Sequence, residues 1–392
     1  MSHALLAPSS ADQWFYCNGS VLLNSMIQQP DGPEAAEGTA AHWVAEQILQ
    51  DAVANEAVSN ASWEHLLGNA DPAGTLLTKE MIAGAKLYAD HIHGLNISFA
   101  NYNIERHVQI PRIHEQCAGT PDFWGIEPKP IGERPILHIV DFKFGFGNVE
   151  IFENKQLICY FCGIIDELNI ADTELKVVFH IVQPRCFSGD GPVKTWEVKA
   201  SDLRGIVNQL STAAHKALGE SPEVVSGNQC KHCPARHSCE SSRQAAAAAI
   251  EFRNTATPNP LTDQALAYEL PALDNAIKAL QYRKDSLEDE AAARMAAGRS
   301  LIGLGMKQKF GNRAWTQSTE AIQGLGTMLN SNLTADPKLV SPLEAEKRIK
   351  AANPKMTAKE IKEMLSGLAE KPSRGMKISY NTGEEARKVF SQ

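Results

Sequence analysis

Residues 103 to 186 constrain the fold most tightly, because the hydrophobic spacing changes there from helical to extended and back. NIERHVQI (103 to 110) alternates, CAGTPDFWGIE (117 to 127) is short and bounded by Gly and Pro, and PILHIVDFKFG (135 to 145) is a β-rich run ending in glycine. NKQLICYFCGIIDEL (154 to 168) returns to helical spacing, and KVVFHIVQPRC (176 to 186) is a further strand rich in β-branched residues. Upstream, GTAAHWVAEQILQ (38 to 50) places Ala, Trp, Val, Ile and Leu at helical spacing after the Gly38-Thr39 start, and a second helical stretch covers 77 to 95. The order helix, three strands, helix, strand predicts an α/β fold, a sheet flanked by helices.

At 392 residues the chain exceeds the usual single domain. Hydrophobic content of 43% and charged content of 21% describe an ordinary globular protein. No apolar run approaches the ~18 residues of a membrane span, and MSHALLAPSSADQ lacks the basic and apolar regions of a signal peptide. The expectation is a cytoplasmic protein with no membrane partner, in which thiols stay reduced and clustered cysteines bind metal. The net charge of -8 is uneven: residues 299 to 392 hold 16 Lys and Arg against 9 Asp and Glu, which leaves an acidic body and a basic tail.

The expected domains are residues 1 to 252, then a linker and long helical arm over 253 to 298, then a basic C-terminal region over 299 to 392. The linker is NTATPNPLT. In the arm, Leu270, Leu273, Ile277, Leu280, Leu287 and Ala291 form a near-heptad stripe with Pro271 near its start and Gly298 past its end. Such a stripe packs on the core, self-associates as a homo-oligomer or pairs with a partner. Beyond it, MKQKFGNRAW (306 to 315) reads as a basic strand or hairpin and 341 to 367 as further helix, with Phe310 and Trp315 available to stack on nucleic acid.

Chemistry concentrates around the strands. Asp122 lies at a strand start, and in the D-x-K of Asp141 and Lys143 the period-2 alternation puts both side chains on one face. A carboxylate beside a lysine at a strand end suits a site where the acid holds a divalent cation and the lysine orients or deprotonates water, or neutralises charge on a phosphate. D-x-K alone is a weak signal, since a surface ion pair gives the same tripeptide. His42 on the preceding helix adds a neutral imidazole, and Gln156 and Tyr160, four apart, share a helix face.

In their order, G-x-x-x-H (Gly38 to His42), G-x-x-D (Gly119 to Asp122), D-x-K (Asp141 to Lys143) and Q-x-x-x-Y (Gln156 to Tyr160) resemble the RecB-like branch of the PD-(D/E)XK nuclease superfamily. The resemblance covers roughly residues 9 to 240 and extends to phage and prophage proteins of that branch. It implies a restriction-endonuclease-like core with a central mixed sheet. It further implies a DNA exonuclease in which His42, Asp122, Asp141 and the main-chain carbonyl of Phe142 ligate Mg2+ or Mn2+. Lys143 is then the catalytic lysine, and Gln156 and Tyr160 position the DNA strand. The second acid is aspartate rather than the commoner glutamate, which leaves the metal preference open. Phage recombination, with a single-strand annealing protein as partner, in the bacterial host cytoplasm, is the implied setting.

CKHCPARHSC (230 to 239) supplies three cysteines as C-x2-C-x5-C. Several nucleases of the same branch hold a 4Fe-4S cluster on one upstream and three downstream cysteines, and the resemblance assigns Cys17, Cys230, Cys233 and Cys239 to those positions. Zinc is the alternative, on four thiolates or on a local set with His232 or His237. Cys159 and Cys162 read as buried small hydrophobes, while Cys117 and Cys186 carry no partner signal. The competing functional readings are an endonuclease of the same fold and a catalytically inactive DNA-binding or scaffold protein.

Overall fold

The structure, a computed structural model, describes residues 4–27, 32–54, 63–95, 97, 102–186, 191–251, 262–310, 314–335, 338–353, 356–370 and 373–380. Two compact units divide it, Met1–Arg283 and Lys284–Gln392. The linker expected between residues 253 and 261 lies outside the described residues.

The first unit opens with two short helices, α1 (Ala11–Tyr16) and α2 (Ser20–Ser25), then α3 (Pro33–Ala54) and α4 (Lys79–His93). Strand β1 (Tyr102–Ile104) follows, and β2 (Val108–Gln109) pairs with β3 (Ala118–Gly119) as a small ladder of its own. Next come β4 (Phe123–Glu127), β5 (Ile136–Phe142), α5 (Lys155–Leu168), β6 (Lys176–Val182), β7 (Val193–Lys199), α6 (Arg204–Ala217) and α7 (Glu240–Glu251). The main sheet has the order β1-β4-β5-β6-β7, and only β5 and β6 run parallel. A parallel pair needs a crossover, which α5 provides.

Alternation along β5 sends its side chains to two cores. Leu137 and Ile139 join Val177, Phe179 and Ile181 of β6 beneath α5 and α6, where Leu157, Phe161, Ile164 and Leu210 are buried. Val140 and Phe142 face the other way, with Phe123 and Val182, against Val44 and Ile48 of α3 and Met81, Ala85 and Tyr88 of α4. The mixed sheet is thus covered by helices on both faces, as the α/β expectation requires. Two expected strands are broken. NIERHVQI splits at Glu105, which adopts a left-handed φ of 47°, and CAGTPDFWGIE splits at Pro121, which has no N–H for a ladder.

On the α4 side of the sheet the histidines form a directional chain. Glu127 accepts from His138 Nε2 (3.2 Å), which leaves His138 Nδ1 to accept from His180 Nε2 (3.0 Å) and His180 Nδ1 to accept from His91 Nε2 (3.0 Å). Burial pushes all three imidazoles below their ordinary range, His180 to about 2. The unfolded chain therefore binds protons near pH 6.5 that the folded chain refuses. Stability is fully present above that pH and is lost as pH falls below it, at up to about 1.4 kcal/mol per pH unit per histidine. The contribution of these histidines to the melting temperature is expected to be flat above pH 7 and to fall steadily from pH 6.5 to 5. His180→Gln, which keeps a donor for His138, should flatten that fall; an unchanged slope would show that the chain does not set it.

Helix α8 (Asp263–Ala296) contains the division at Arg283/Lys284, inside the helix rather than at the two ends of the expected arm. Leu270, Leu273, Ile277, Leu280 and Leu287 of the stripe are exposed, and Ala291 is buried. The second unit continues with β8 (Leu304–Phe310), β9 (Ala314–Trp315), α9 (Thr319–Met328), the pair β10 (Thr334–Ala335) and β11 (Lys338–Leu339), α10 (Pro342–Ala352), α11 (Ala358–Ser366), β12 (Ala369–Glu370) and β13 (Ser373–Tyr380). MKQKFGNRAW is not a hairpin: β8 pairs with β13 and β9 with β12, so both partners come from the far end of the unit. The region expected as one helical stretch is two helices, because Thr357 caps a new start through its bond from the Glu360 amide. Ile322, Leu333, Val340, Ile349, Ile361 and Leu365 give this unit its own core.

Candidate metal and cysteine sites

Extending the β4–β5 register one step past Phe123↔Val140 brings Asp122 and Asp141 side by side at the carboxyl end of β5. Asp122 accepts from the Phe142 amide at 2.6 Å and lies 3.4 Å from His42 Nδ1 of α3. Asp141, 3% exposed, accepts from Lys143 Nζ (3.0 Å to Oδ2) and from Gln156 Nε2 (3.0 Å), while Lys143 also donates to Gln156 Oε1 (3.2 Å). Gln156 stands in the first turn of α5, which Asn154 caps by accepting from the Leu157 amide. One turn on, Tyr160 has its hydroxyl 3.5 Å from Gln156 Nε2. All four sequence patterns therefore meet at one end of the sheet.

The pattern glycines differ in what they do. A Cβ on Gly119 would lie 2.8 Å from Pro8 and 3.0 Å from the Tyr160 ring, so the glycine of G-x-x-D makes room for the tyrosine of Q-x-x-x-Y. A Cβ on Gly38 would meet nothing within 4 Å, and nothing in the structure explains that glycine.

The sequence reading missed two members of the site. Glu105 is one: its N–H donates to the Asp122 carbonyl, and its carboxylate joins His42 and Asp122 in a group whose ligand atoms all lie within 4.8 Å of one another. The left-handed backbone turns this side chain out of the strand pattern, a conformation that costs about 1–2 kcal/mol outside glycine and persists where the surroundings enforce it. A charged residue in the middle of a β-rich run was its one sequence signal. Tyr88 is the other. It is 2% exposed, packs on Phe142 at 5.2 Å, and its hydroxyl has no hydrogen-bond partner. It lies in the helical stretch expected over 77 to 95, where nothing in the sequence sets it apart.

Electrostatics bind the group together. Burial opposes every charge here, yet Asp122 stays below the ordinary carboxylate range because His42, Lys143 and the Phe142 amide outweigh desolvation. Likewise His42 and Lys143 are raised, since Asp122 and Asp141 overcome the burial that would lower them. Burial raises Asp141, and burial together with the Asp122 charge pushes Glu105 to about 8. Such crowding of carboxylates around one imidazole is relieved by a cation.

At the opposite end of the element order, the four expected cysteines line one small pocket together with Gln13, Ser20, Leu23 and Arg236. Neither His232 nor His237 lines it, and His237 Nδ1 donates to the Pro234 carbonyl instead. The thiols accept backbone N–H groups, Cys17 from Val225 (3.3 Å) and Cys230 from Gly227 (3.4 Å). Burial, with the charges of the other cysteines, raises Cys17, and burial raises Cys233 to about 11, so these two thiols keep their protons unless a cation takes their place. Asn24 ties the two chain segments: its amide donates to Gln13, and its oxygen accepts from Cys233 Sγ and the Ala235 amide. Cys117, with Cys159 and Cys162 of α5, is buried in the core, and Cys186 donates to Asn148.

No helix among the described residues is long and apolar enough to cross a membrane. Residues 3–385 match the family described as "Protein of unknown function (DUF2800)", and the chain belongs to that family.

Proposed function

We propose that the chain is a metal-dependent DNA exonuclease of RecB-like PD-(D/E)XK type, with an endonuclease as the close variant. The observation that carries this reading is the meeting of His42, Glu105, Asp122, Asp141, Lys143 and Gln156 at the carboxyl end of β5. Three carboxylates supply hard oxygen donors, which together with one imidazole suit Mg2+ or Mn2+ rather than structural zinc. His42, Glu105 and Asp122 would hold the ion, with Asp141 and the Phe142 carbonyl beside them. A bound ion supplies Lewis-acid polarisation of the phosphate and lowers the pKa of water.

The chain's own groups do the rest. Lys143, kept cationic by Asp141 and Asp122, faces the charge that builds on the phosphate. Gln156 bridges Asp141 and Lys143 and holds their relative geometry, and the Tyr160 ring backs it. The cysteine pocket is the seat of a 4Fe-4S cluster that staples the segment before the sheet to the segment after it, with zinc as the rival metal.

Glu105→Gln should weaken Mn2+ binding, read by calorimetry, by at least about 10-fold. Wild-type affinity in this variant would remove Glu105 from the ligand set. The function itself is tested by offering linear and covalently closed circular DNA with Mn2+. Degradation of the linear form alone is expected; cleavage of circles would make the enzyme an endonuclease, and cleavage of neither would end the nuclease reading.

A further inference from the structure

The loop that joins the D-x-K end of β5 to α5 is built for more than connection. It starts just after Lys143 and ends just before Gln156, so both of its ends are in the site. Among the described residues, three Phe, Tyr or Trp side chains are exposed: Tyr16, Phe146 and Phe152, at 53%, 67% and 60%. Two of them sit in this loop. The third touches its far end, where Lys155 Nζ lies 4.7 Å from the Tyr16 ring centroid.

Buried polar groups fix the loop backbone. Gln183, 1% exposed, donates to the Gly145 carbonyl (2.9 Å) and the Gly147 carbonyl (2.6 Å) and accepts from the Val149 amide (3.3 Å). Lys194, also buried, donates to the Val149 carbonyl and to Asn148 Oδ1. Arg185, clamped by both oxygens of Glu37 and by Glu80, stacks its guanidinium 3.8 Å from the Phe144 ring and 4.7 Å from the Phe146 ring. Phe152 rests on Trp196 at 5.1 Å. The aromatic faces are therefore held in place with water on their open side, which is unfavourable for an apolar ring unless something stacks there.

The surrounding charge says what that is. Lys143 and Lys155 flank the loop ends, and exposed Lys231, from the cysteine segment, has its ammonium 3.9 Å from where a Gly147 Cβ would be. Of the nearby acids, Asp12 is paired with Lys155 and Glu150 turns back onto the amides of Ile151 and Phe152, while Glu153 is exposed next to Phe152. Fixed rings interleaved with cations fit a polyanion with π-faces, a nucleic-acid strand whose bases are unstacked. On the nuclease reading above, we infer that Phe146, which shares its loop with Phe152, is a base-stacking platform at the mouth of the site, and that the strand entering the site is single-stranded or frayed DNA.

The test uses the full chain carrying Asp141→Ala, so that DNA is bound without being consumed, and three probes: oligo(dT), an abasic strand of equal length, and a blunt duplex. Phe146→Ala should weaken oligo(dT) binding about 10-fold, as loss of one stacked base predicts, and leave the abasic strand unaffected. Phe146→Leu, which keeps apolar area without a π-face, should behave like Phe146→Ala, whereas Phe146→Tyr should restore binding. Phe146→Trp should show fluorescence quenching by oligo(dT) and none by the abasic strand. Equal affinities for all four variants, in a protein whose Asp141 form still degrades DNA, would overturn the platform and leave the nuclease reading standing. Ring-dependent binding of oligo(dT) by a protein that cleaves nothing would uphold the platform and refute the nuclease. A Phe146→Leu variant with full affinity for oligo(dT) would overturn the stacking platform, because apolar area without a π-face would then suffice.

Discussion

Lys143→Met is expected to slow single-turnover DNA cleavage by about 10²–10³-fold, the loss typical when one preorganised charge or donor is removed from a developing oxyanion. The ammonium bridges Asp141 and Gln156 at 3.0–3.2 Å, and the neighbouring carboxylates hold its pKa above the ordinary lysine range. It is therefore a fixed positive charge, and on the proposed nuclease function it would stabilise the phosphate and orient water rather than take a proton. Two effects must be separated, because losing the lysine also leaves the buried Asp141 carboxylate without its cation, a change that destabilises folds by about 3–5 kcal/mol. Lys143→Arg keeps that charge. If the lysine served the fold alone, arginine would restore both melting temperature and rate. The expected result is a restored melting temperature with a rate still well below wild type, and full recovery of rate would reduce Lys143 to a structural role.

Cys17→Ser is expected to give colourless protein where the wild type, purified without oxygen, is brown. Cys17 ends α1, where its N–H is bonded to Gln13, and its thiol lines the same pocket as Cys230, Cys233 and Cys239 from the segment beyond the sheet. A metal centre across those four closes a very long loop, so removing one ligand releases the chain in the unfolded state. On the disulfide analogy the loss is about 3 kcal/mol, or roughly 5 °C of melting temperature for a unit of this size. Cys162→Ser, on the buried face of α5, should retain full iron content. Colourless wild-type protein holding stoichiometric zinc would overturn the iron assignment while leaving the four-thiol site in place.

What the sequence made legible follows from local periodicity. Asp141 and Lys143 share a face because a strand repeats every two residues, and Gln156 and Tyr160 meet because a helix brings i and i+4 together. Where tertiary context decides, the sequence is silent. Glu105 reaches the site through a left-handed backbone that no strand pattern announces, and Tyr88 looks like any helix residue buried by α3 and α4. VKTWEVK becomes β7 although Lys194, Glu197 and Lys199 make it too polar to stand out; as an edge strand it needs only one buried face. The β8–β13 pairing joins residues some seventy positions apart, and nothing in either segment's composition specifies so distant a partner.

The central claim is that the residues gathered at the end of β5 hydrolyse DNA with a divalent cation. The most direct measurement is cleavage of end-labelled linear DNA by wild type and Asp141→Ala, each in Mg2+, Mn2+ and EDTA. Cleavage by the wild type with either cation, none in EDTA and none by the variant is the predicted result; cleavage that survives Asp141→Ala, or wild-type protein inert with both ions, would contradict it.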